Sequence, residues 1–544
     1  MADNRLVAEI VADFFLKTCQ LRRRVNMDDI GVLIHCSRIL SVDTECDNKV
    51  NAIPLSTGSA RELFIEPMLS CVGDVDIMLH LGSYLAIPQG HPPPTQLPDE
   101  FHGRVRVYEI IDSEFQGYVY LVSSYLLTEI NDSGRYNAVK RPRMYLAHGF
   151  TRKQDDDIQG PAIVMKDPKH KLVRRSLFAN GSLYSADTVL CVRCLSWPLQ
   201  AADWPTRHRN YGWPDSATVD RVVSNGCDVV QVAHRLCRQH EWMSKHQWRL
   251  SFSRAEITLI NSWMKVQQVV YHMLRFFTKK ENTVCLADII DVTGSKIFSN
   301  YNIKTLILWA CEEKGRSWWT HDLNAVGICA KLLHILADWL TVACCPHFFV
   351  SQCNLFDSLD NSQLIHNTTH RLQSVTETWL AEWFVNNYIR KCARDLCIDA
   401  SVSRLFDDIS THVKLQNAVS TLVDWRLDMT LVSVWCQFST AQHAIHRLQY
   451  QYQGFRPSLY LMTELSKIDK RLSVYFTAVK FLLVAFKANR RPLTDEMLDI
   501  LSTVCLRSND VRRCLNARHS SVLSLSQAAK LMKVIVNNST AQCS

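Results

Sequence analysis

The chain has 544 residues, 47% of them hydrophobic, and its 61 Lys and Arg against 53 Asp and Glu give a net charge of +8. This length allows two or three domains, and the hydrophobic content excludes a globally disordered protein. The mildly basic balance permits a polyanionic partner without requiring one. The 20 cysteines are scattered, the N-terminus does not read as a signal peptide, and no apolar run is long enough to span a bilayer. We therefore expect a soluble, cytoplasmic protein with reduced thiols and no membrane partner.

The predicted elements divide the chain into a mixed front part and a helical back part. Apolar residues from Leu6 to Phe15 recur at helical spacing, and three arginines follow them: Arg22, Arg23 and Arg24. Residues 53–125 alternate between predicted strands and turns, and "SADTVLCVRC" is a further strand. From about Ala217 onward the pattern is almost wholly helical. The fold class expected is therefore α+β.

Two carboxylates stand two residues apart in "GDVDIML", at Asp74 and Asp76. In a strand they share one face, where two unit charges about 4 Å apart repel by roughly 4 kcal/mol at an effective dielectric near 20. One interpretation is an edge strand with a solvated face. The other is a divalent metal site, because carboxylate oxygens suit Mg²⁺.

Two other features favour the metal site. Gly58 and Ser59 form a turn after a predicted strand, and such turns expose backbone N–H groups that bind phosphate oxygens. A third acid, Asp187, opens another strand. Three carboxylates can hold two Mg²⁺ ions about 3.5–4 Å apart, the arrangement of two-metal nucleotidyl transfer.

Longer motifs then resemble a known family. They are "GDVDIML", "GPAI" at residues 160–163, "SADTVLCVRCLSWP", "QWRLSFSRAE" at 247–256, "SNYNIKTLILWACEE" at 299–313, "WW" at 318–319 and "PHFFVSQCNLF" ending at 356. In this order they resemble the cyclic GMP–AMP synthase and male-abnormal-21 superfamily, in particular the cyclic GMP–AMP synthase-like receptors of animals. The resemblance covers roughly residues 1–375.

The resemblance implies a two-lobed nucleotidyltransferase fold with a helical second lobe. The expected domains are a core with an N-terminal helix at 1–215, a helical lobe at 216–375 and an all-α C-terminal extension at 376–544, whose role the sequence does not reveal. The implied metal ligands and catalytic acids are Asp74, Asp76 and Asp187. The implied nucleotide-binding residues are Gly58, Ser59, Arg249, Ser251, Ser253, Glu256, Arg275, Tyr301 and Lys304. Arg275 stands where the family usually has lysine, which keeps the charge but changes its geometry.

Structural alternatives exist for these residues. Ser251 and Ser253 could cap the helix that begins near Arg254. Tyr301 could be a packed tyrosine with a satisfied hydroxyl.

The zinc-binding insertion of the vertebrate DNA sensor is missing, because the corresponding stretch holds one histidine, His272, and no cysteine. The other candidates are weak. Cys191 and Cys194 point to opposite faces of a strand. His234, Cys237, His240 and His246 lack a standard ligand spacing and are expected on a solvated helix surface. We expect no structural zinc.

The function that the resemblance implies is synthesis of a cyclic dinucleotide, an innate immune second messenger, from two nucleoside triphosphates such as ATP and GTP, with two Mg²⁺ or Mn²⁺ ions. Alternatives are a catalytically silent male-abnormal-21-type binding or scaffold protein, and a nucleotidyltransferase making linear products. A double-stranded nucleic acid would activate the enzyme, and a dimer could form on it. We expect RNA rather than DNA, bound by Arg22, Arg23, Arg24, Lys169, Lys171, Arg174 and Arg175, although an ordinary solvated loop also fits the basic stretch 140–175.

Overall fold

The computed structural model describes the larger, N-terminal part of the chain. The described residues are 2–19, 52–57, 75–98, 101–131, 133–148, 157–159, 162–164, 186–288, 298–320, 324–357, 359, 362–396 and 403–423. Contacts divide the chain into one compact unit of residues 1–21, 38–168 and 184–389 and a second of 22–37, 169–183 and 390–544. The expected division at 215 and 375 stays a prediction.

One mixed sheet of ten strands organises the described part of the first unit. The strands are β1 (Ala52–Thr57), β2 (Val75–Pro88), β3 (Arg104–Asp112), β4 (Tyr118–Glu129), β5 (Tyr136–Lys140), β6 (Asp157–Gln159), β7 (Ala162–Val164), β8 (Ala186–Cys194), β9 (Cys227–Val230) and β10 (Gln247–Ser251). The order is β1-β2-β3-β4-β10-β9-β8-β7-β6, with β5 on β4. β2 also pairs with β8, so β2, β3, β4, β10, β9 and β8 close into a ring of six strands.

The long strand β2 joins the two sides of this ring. It runs parallel to both β3 and β8, whereas the other pairs of the sheet are antiparallel. Residues of β2 that face the interior are apolar and buried, such as Leu85 and Ile87, which pack with Val105, Val107 and Leu127 from β3 and β4. The alternation of apolar and polar residues in these strands therefore gives the inner and outer faces of the sheet.

The helices follow mainly after the sheet. They are α1 (Ala2–Thr18), α2 (Ser216–Ser224), α3 (Glu241–His246), α4 (Ser253–Asn261), α5 (Lys265–Asp288), α6 (Asn300–Glu313), α7 (Arg316–Trp319), α8 (Ala325–Thr341), α9 (Ser362–Gln373), α10 (Glu377–Phe384) and α11 (Arg390–Leu396). A π-helical turn, Val385–Ile389, lies between the last two. In the part of the chain that the structure covers, none of the helices combines the length and apolar character needed to cross a membrane.

Helix α1 is held by an aromatic cluster. Its Phe14 and Phe15 are fully buried. The ring of Phe15 lies 4.7 Å from that of Tyr388 and 5.3 Å from that of Phe384, and Phe276 of α5 reaches Tyr388 at 4.7 Å. Tilted and edge-on aromatic pairs at these distances add stabilisation to that of the buried area. The predicted amphipathic helix is thus packed on the helical part of the unit, and Leu6 lies outside its buried face at 42% exposure.

The expected α+β class is confirmed, with one correction. Two short strands, β9 and β10, lie beyond Ala217, where the sequence pattern indicated helices. All four residues of β9 are buried. Runs of four and five residues are too short for their periodicity to distinguish a strand from a helix, which explains the error.

Gly226, in the turn before β9, is expected to tolerate no side chain. Its φ is +62°, and an added Cβ would overlap the backbone of Cys194 and Leu195. Gly212 has a similar φ of +66° but no atom within 4 Å of an added Cβ. Gly212→Ala should therefore cost only the left-handed strain, about 1–2 kcal/mol, and Gly226→Ala about 1–3 kcal/mol more from overpacking. Urea unfolding followed by tryptophan fluorescence measures both, and equal losses would contradict the overlap.

Candidate active site

The register of two parallel strands brings two of the predicted acids together. Asp76 of β2 lies opposite Asp187 of β8. Neighbouring strands are about 4.8 Å apart, and residues in register on parallel strands lie at the same level of a sheet. β1 flanks this point, with Thr57 opposite Asp76. Thr57 is followed in the sequence by Gly58, so the end of β1 comes beside the two acids.

The acids at this point fit a divalent cation. Carboxylate oxygens from two or three aspartates are the donor set that Mg²⁺ and Mn²⁺ prefer. Asp74, Gly58 and Ser59 lie outside the described residues, and Asp76 and Asp187 are described by their backbone. Among the described side chains, no group of three or more His, Cys, Asp and Glu could hold a metal ion. The three-acid site therefore rests on the strand register and the sequence.

The "RLSFS" stretch forms β10 and the start of α4. Arg249 is exposed, in register with Val230 of β9 and Tyr118 of β4. The hydroxyls of Ser251 and Ser253 lie 3.0 Å apart, and the buried Phe252 stands between these residues in the chain. Phe252 is the N-cap of α4, and no side chain caps the helix there. The interpretation of the two serines as helix caps is therefore wrong.

Glu256 and Lys304 form a buried ion pair between α4 and α6. The ammonium of Lys304 donates to Glu256 Oε2 at 2.6 Å, and the two side chains are 9% and 3% exposed. Breaking such a pair by removing one partner usually costs about 3–5 kcal/mol, because it leaves an uncompensated charge. The ammonium also lies 5.3 Å from the ring centre of Tyr301. Lys304 and Glu256 thus hold α4 and α6 together, and their predicted nucleotide contacts stay a prediction.

Arg275 of α5 is 2% exposed, and its guanidinium lies 5.5 Å from the ring centre of Tyr271 one turn earlier. The side chain is part of the helical core, so a phosphate contact would require access to a buried group. Its predicted nucleotide role stays a prediction.

Tyr301 is tied to a buried histidine. His347 Nδ1 accepts hydrogen bonds from the backbone N–H groups of Phe349 and Val350, both at 3.0 Å. The proton of the neutral ring is therefore on Nε2, which donates to the Tyr301 hydroxyl at 2.9 Å. Burial lowers the pKa of His347 to about 3 and raises the pKa of Tyr301 well above its usual value. The hydroxyl of Tyr301 is thus satisfied, as the packed-tyrosine alternative expected, while the residue stays only partly buried.

Sequence reasoning missed a charged network that joins β2, β8, β9 and α4 through the buried Asp228. Asp228 of β9 has no exposed surface. Arg254 of α4 donates from Nε to its Oδ2 at 3.1 Å and from Nη2 to His80 Nε2 at 3.1 Å. His80 Nε2 and Arg193 Nη1 lie 3.6 Å and 3.8 Å from Asp228 Oδ1.

Burial lowers the pKa of His80 to about 4, against the opposing effect of Asp228. His80 comes four residues after Asp76 in β2, and its register partner Cys191 comes four residues after Asp187 in β8. The network therefore lies along the same two strands as the acids. In the sequence, the only indication of this network is that His80 follows Asp76 by four residues, a spacing that puts two positions on the same face of a strand.

The weak zinc candidates do not come together in the described structure. His234 is buried and bonds Asp357 at 3.0 Å, and Cys237 is also buried, so the expectation of a solvated surface is wrong for these two. Cys194 lies opposite Cys227 of β9 rather than beside Cys191. The thiols of Cys194 and Cys227 form a hydrogen bond. This bond is the main cause that lowers the pKa of Cys194 and raises the pKa of Cys227.

The residues predicted to bind the activator are Arg22, Arg23, Arg24, Lys169, Lys171, Arg174 and Arg175, and they lie outside the described residues. The same holds for the chain from residue 424 onward. Both the activator surface and the helical C-terminal extension stay predictions.

The neutral His347 should make stability depend on pH. Unfolded histidine titrates near 6.5 and the folded residue near 3, so only the unfolded chain gains this proton between these values, and stability falls as the pH falls below 6.5. At pH 5 the loss from this residue is about 2 kcal/mol. In His347→Asn the amide oxygen can still accept the two backbone bonds but cannot titrate. The difference in unfolding free energy between pH 7 and pH 5 should therefore shrink by about 2 kcal/mol. An unchanged difference, equal to that of an exposed-site His91→Asn control, would contradict the buried neutral state.

Comparison with known families matches two consecutive domains. Residues 146–262 match the Mab-21 protein nucleotidyltransferase domain and residues 267–373 the Mab-21 protein HhH/H2TH-like domain. The first range contains Asp187 and the "RLSFS" stretch, and the second contains Tyr301 and Lys304. Asp76 lies before both ranges.

Related proteins from three animals match parts of the chain. "Protein mab-21-like" of Aedes aegypti is 27% identical over 178 residues, which are 32% of this chain and 44% of the relative. "Protein mab-21-like" of Drosophila melanogaster is 27% identical over 173 residues, 31% and 43% of the two chains. "Protein male abnormal 21" of Caenorhabditis elegans is 23% identical over 198 residues, 35% and 49%. The chain spans less than half the length of these curated relatives. The two matched domains place the chain in the cyclic GMP–AMP synthase/Mab-21 superfamily.

Proposed function

We propose that the protein is a nucleotidyltransferase that joins two nucleoside triphosphates, such as ATP and GTP, into a cyclic dinucleotide, with release of pyrophosphate at each joining step. The matched nucleotidyltransferase domain supports triphosphates as substrates. The cyclic product and a role in innate immune signalling rest on the resemblance of the sequence motifs to the cyclic GMP–AMP synthase-like receptors.

The observation that carries the proposal is the register of Asp76 against Asp187. The sequence separates these acids by more than a hundred residues, and the parallel pairing of β2 with β8 returns them to neighbouring positions. Two like charges side by side repel by several kcal/mol unless a cation or proton intervenes. An arrangement so unfavourable without a ligand supports a cation site better than a solvated strand, because both strands are paired on both edges near this point.

Each group would then have a definite role. Asp74, Asp76 and Asp187 would hold two Mg²⁺ or Mn²⁺ ions, which supply charge stabilisation at the attacking and leaving oxygens. The turn at Gly58 and Ser59 would bind triphosphate oxygens through backbone N–H groups. Arg249 and the hydroxyls of Ser251 and Ser253 would orient the nucleotide. The ring of Tyr301 would stack on a base, steadied by its bond to His347.

We propose double-stranded RNA as the activator, acting in the cytoplasm, and this part rests on the sequence. Three consecutive arginines follow α1, and the basic stretch 140–175 holds the other predicted contacts. Clustered cations bind phosphate backbones through counterion release, and duplex RNA is recognised mainly by its shape. Formation of a dimer on the duplex belongs to the same proposal.

Asp76→Asn and Asp187→Asn should each abolish product formation. Each change removes a charged ligand, and even changes in groups that only support metal ligands cost about 10–100-fold, so we expect losses above that range. The measurement is chromatography of products from labelled ATP, GTP, CTP and UTP with Mg²⁺ or Mn²⁺ and RNA or DNA duplexes. Asp220→Asn, at an exposed position of α2, is the matched control.

The same assay separates the alternatives. Linear dinucleotides in place of cyclic ones would change the proposed product but leave the proposed role of the aspartates unchanged. Synthesis retained in both aspartate variants would overturn the two-metal proposal. No synthesis by the wild-type protein under any condition would favour a catalytically silent binding protein.

Substitutions of Tyr301 should separate its ring from its hydroxyl. Tyr301→Ala removes stacking, typically about 1–3 kcal/mol per base, so KM for a nucleotide should rise about 5- to 150-fold. Tyr301→Phe keeps the ring but leaves the Nε2–H of His347 unpaired, so KM should stay near the wild-type value while stability falls by about 1 kcal/mol. Steady-state kinetics and urea unfolding measure the two effects. A KM in Tyr301→Phe as high as in Tyr301→Ala would assign the effect to the hydroxyl and contradict stacking.

A further inference from the structure

Three aromatic rings form a cluster at the surface where β4 meets α3. Tyr120 of β4 is 5% exposed and forms the floor. Tyr145 and Trp242 lie over it, with ring centres 5.7 Å and 5.3 Å from Tyr120 and 5.2 Å from each other. Tyr145 is 49% exposed and Trp242 48%. Two large rings thus present about half of their surface to solvent in one place.

These rings are held in position. Trp242 stacks on His246 with ring centres 4.8 Å apart and an angle of 22°. His246 in turn bonds the backbone carbonyl of Trp242 at 2.7 Å. The hydroxyl of Tyr120 donates to Glu114 at 2.8 Å. A ligand that stacks here would lose little side-chain entropy, since the rings are already ordered.

The segment that carries Tyr145 is fixed to the sheet and to α3 by backbone hydrogen bonds. The N–H of Arg141 donates to Ser124 and that of Leu146 to Leu121, both at 2.7 Å. The N–H of His148 donates to the carbonyl of Lys245 at 2.7 Å. The surface is therefore a rigid one.

Basic residues lie along the two segments that carry the exposed rings. Lys140, Arg141, Arg143 and Lys245 are all exposed. Arg143 lies 3.4 Å from Glu109, and Lys245 lies 2.5 Å from Glu241. Within the described residues, neither Lys140 nor Arg141 forms an ion pair. Glu114, which accepts the hydroxyl of Tyr120, is the third acid here beside Glu109 and Glu241. The four cations exceed these three acids by one, so the balance of charge favours an anionic ligand.

We propose that this aromatic–basic surface binds single-stranded nucleic acid. Exposed rings attract unstacked bases, every one of which offers a π-face, while flanking cations bind the backbone phosphates. A duplex keeps its bases stacked on one another and needs only the cations, so it would leave the rings unused. An acidic peptide would match the charge but has few flat groups for two exposed rings. The surface should therefore prefer single strands, with little dependence on sequence.

The test measures binding alone and does not depend on the proposed catalysis. Fluorescence anisotropy of a labelled single-stranded RNA of about a dozen nucleotides is compared with a duplex of the same length, and linear inorganic polyphosphate serves as a competitor with charge and no bases. Tyr145→Ala/Trp242→Ala should weaken single-strand binding about tenfold or more and change duplex binding less than about twofold. Trp242→Phe should recover most of the loss, since it keeps a ring.

Charge variants test the phosphate contacts separately. Lys140→Glu/Arg141→Glu should weaken single-strand binding and make the log–log salt slope shallower by about 1.4, since each phosphate contact contributes about 0.7 for single strands. Tyr211→Ala and Lys331→Glu, at exposed positions elsewhere, should have no effect. Single-strand binding insensitive to the ring variants, or polyphosphate competing as well as RNA of equal charge, would overturn the proposal. Equally strong binding of an acidic peptide through the same residues would also overturn it.

Discussion

The carboxylate of Asp228 is completely buried, and the ring of six strands depends on how its charge is neutralised. Removing a carboxylate from water costs several kcal/mol unless cations and hydrogen bonds compensate. Arg254 and Arg193 supply two guanidinium groups, and the neutral His80 completes the contacts. Arg193 also donates to the carbonyls of Cys194 and Cys227 at 2.9 Å each. One buried charge thereby fixes β2, β8, β9 and α4 relative to one another.

This network gives the candidate site a rigid base, because it lies on the strands that carry Asp76 and Asp187. The helical side of the site has a similar anchor in the buried pair of Glu256 and Lys304, which joins α4 to α6. Helix α4 takes part in both, through Arg254 and Glu256. The "RLSFS" stretch is therefore held at both ends, by the sheet through β10 and by the two buried charge contacts through α4.

Much of the fold could be predicted from the sequence, whereas the partners within the site could not. Strong alternation identified the strands β2 to β4, and motif order identified the family. The four-residue β9 was missed because a run that short carries no period. The sequence named Asp76 and Asp187 separately, but their position side by side depends on pairing between distant strands.

The same limit applies to the helical residues. Tyr301, Glu256 and Lys304 were recognised as candidates, yet no sequence pattern indicated that Tyr301 bonds His347 or that Glu256 and Lys304 bond each other. Such contacts depend on how α4, α6 and the segment around His347 pack, which local patterns do not specify. For Ser251 and Ser253 the sequence predicted a contact that the structure lacks. Serine is common at helix N-caps, but the N-cap of α4 is Phe252, and no side chain caps the helix there.

The closure of the strands into a ring has a consequence for synthesis on the ribosome. β2 must pair with β8, and β4 with β10, so the ring cannot close until Ser251 has left the exit tunnel. Pairings this distant along the chain make folding slow, because their loop-closure entropy must be overcome first. Until then β2 and β4 each have an unpaired edge, and such edges are the sites where nascent β-proteins associate wrongly. The domain is therefore one for which chaperone binding during translation should matter more than for a helical protein of equal size.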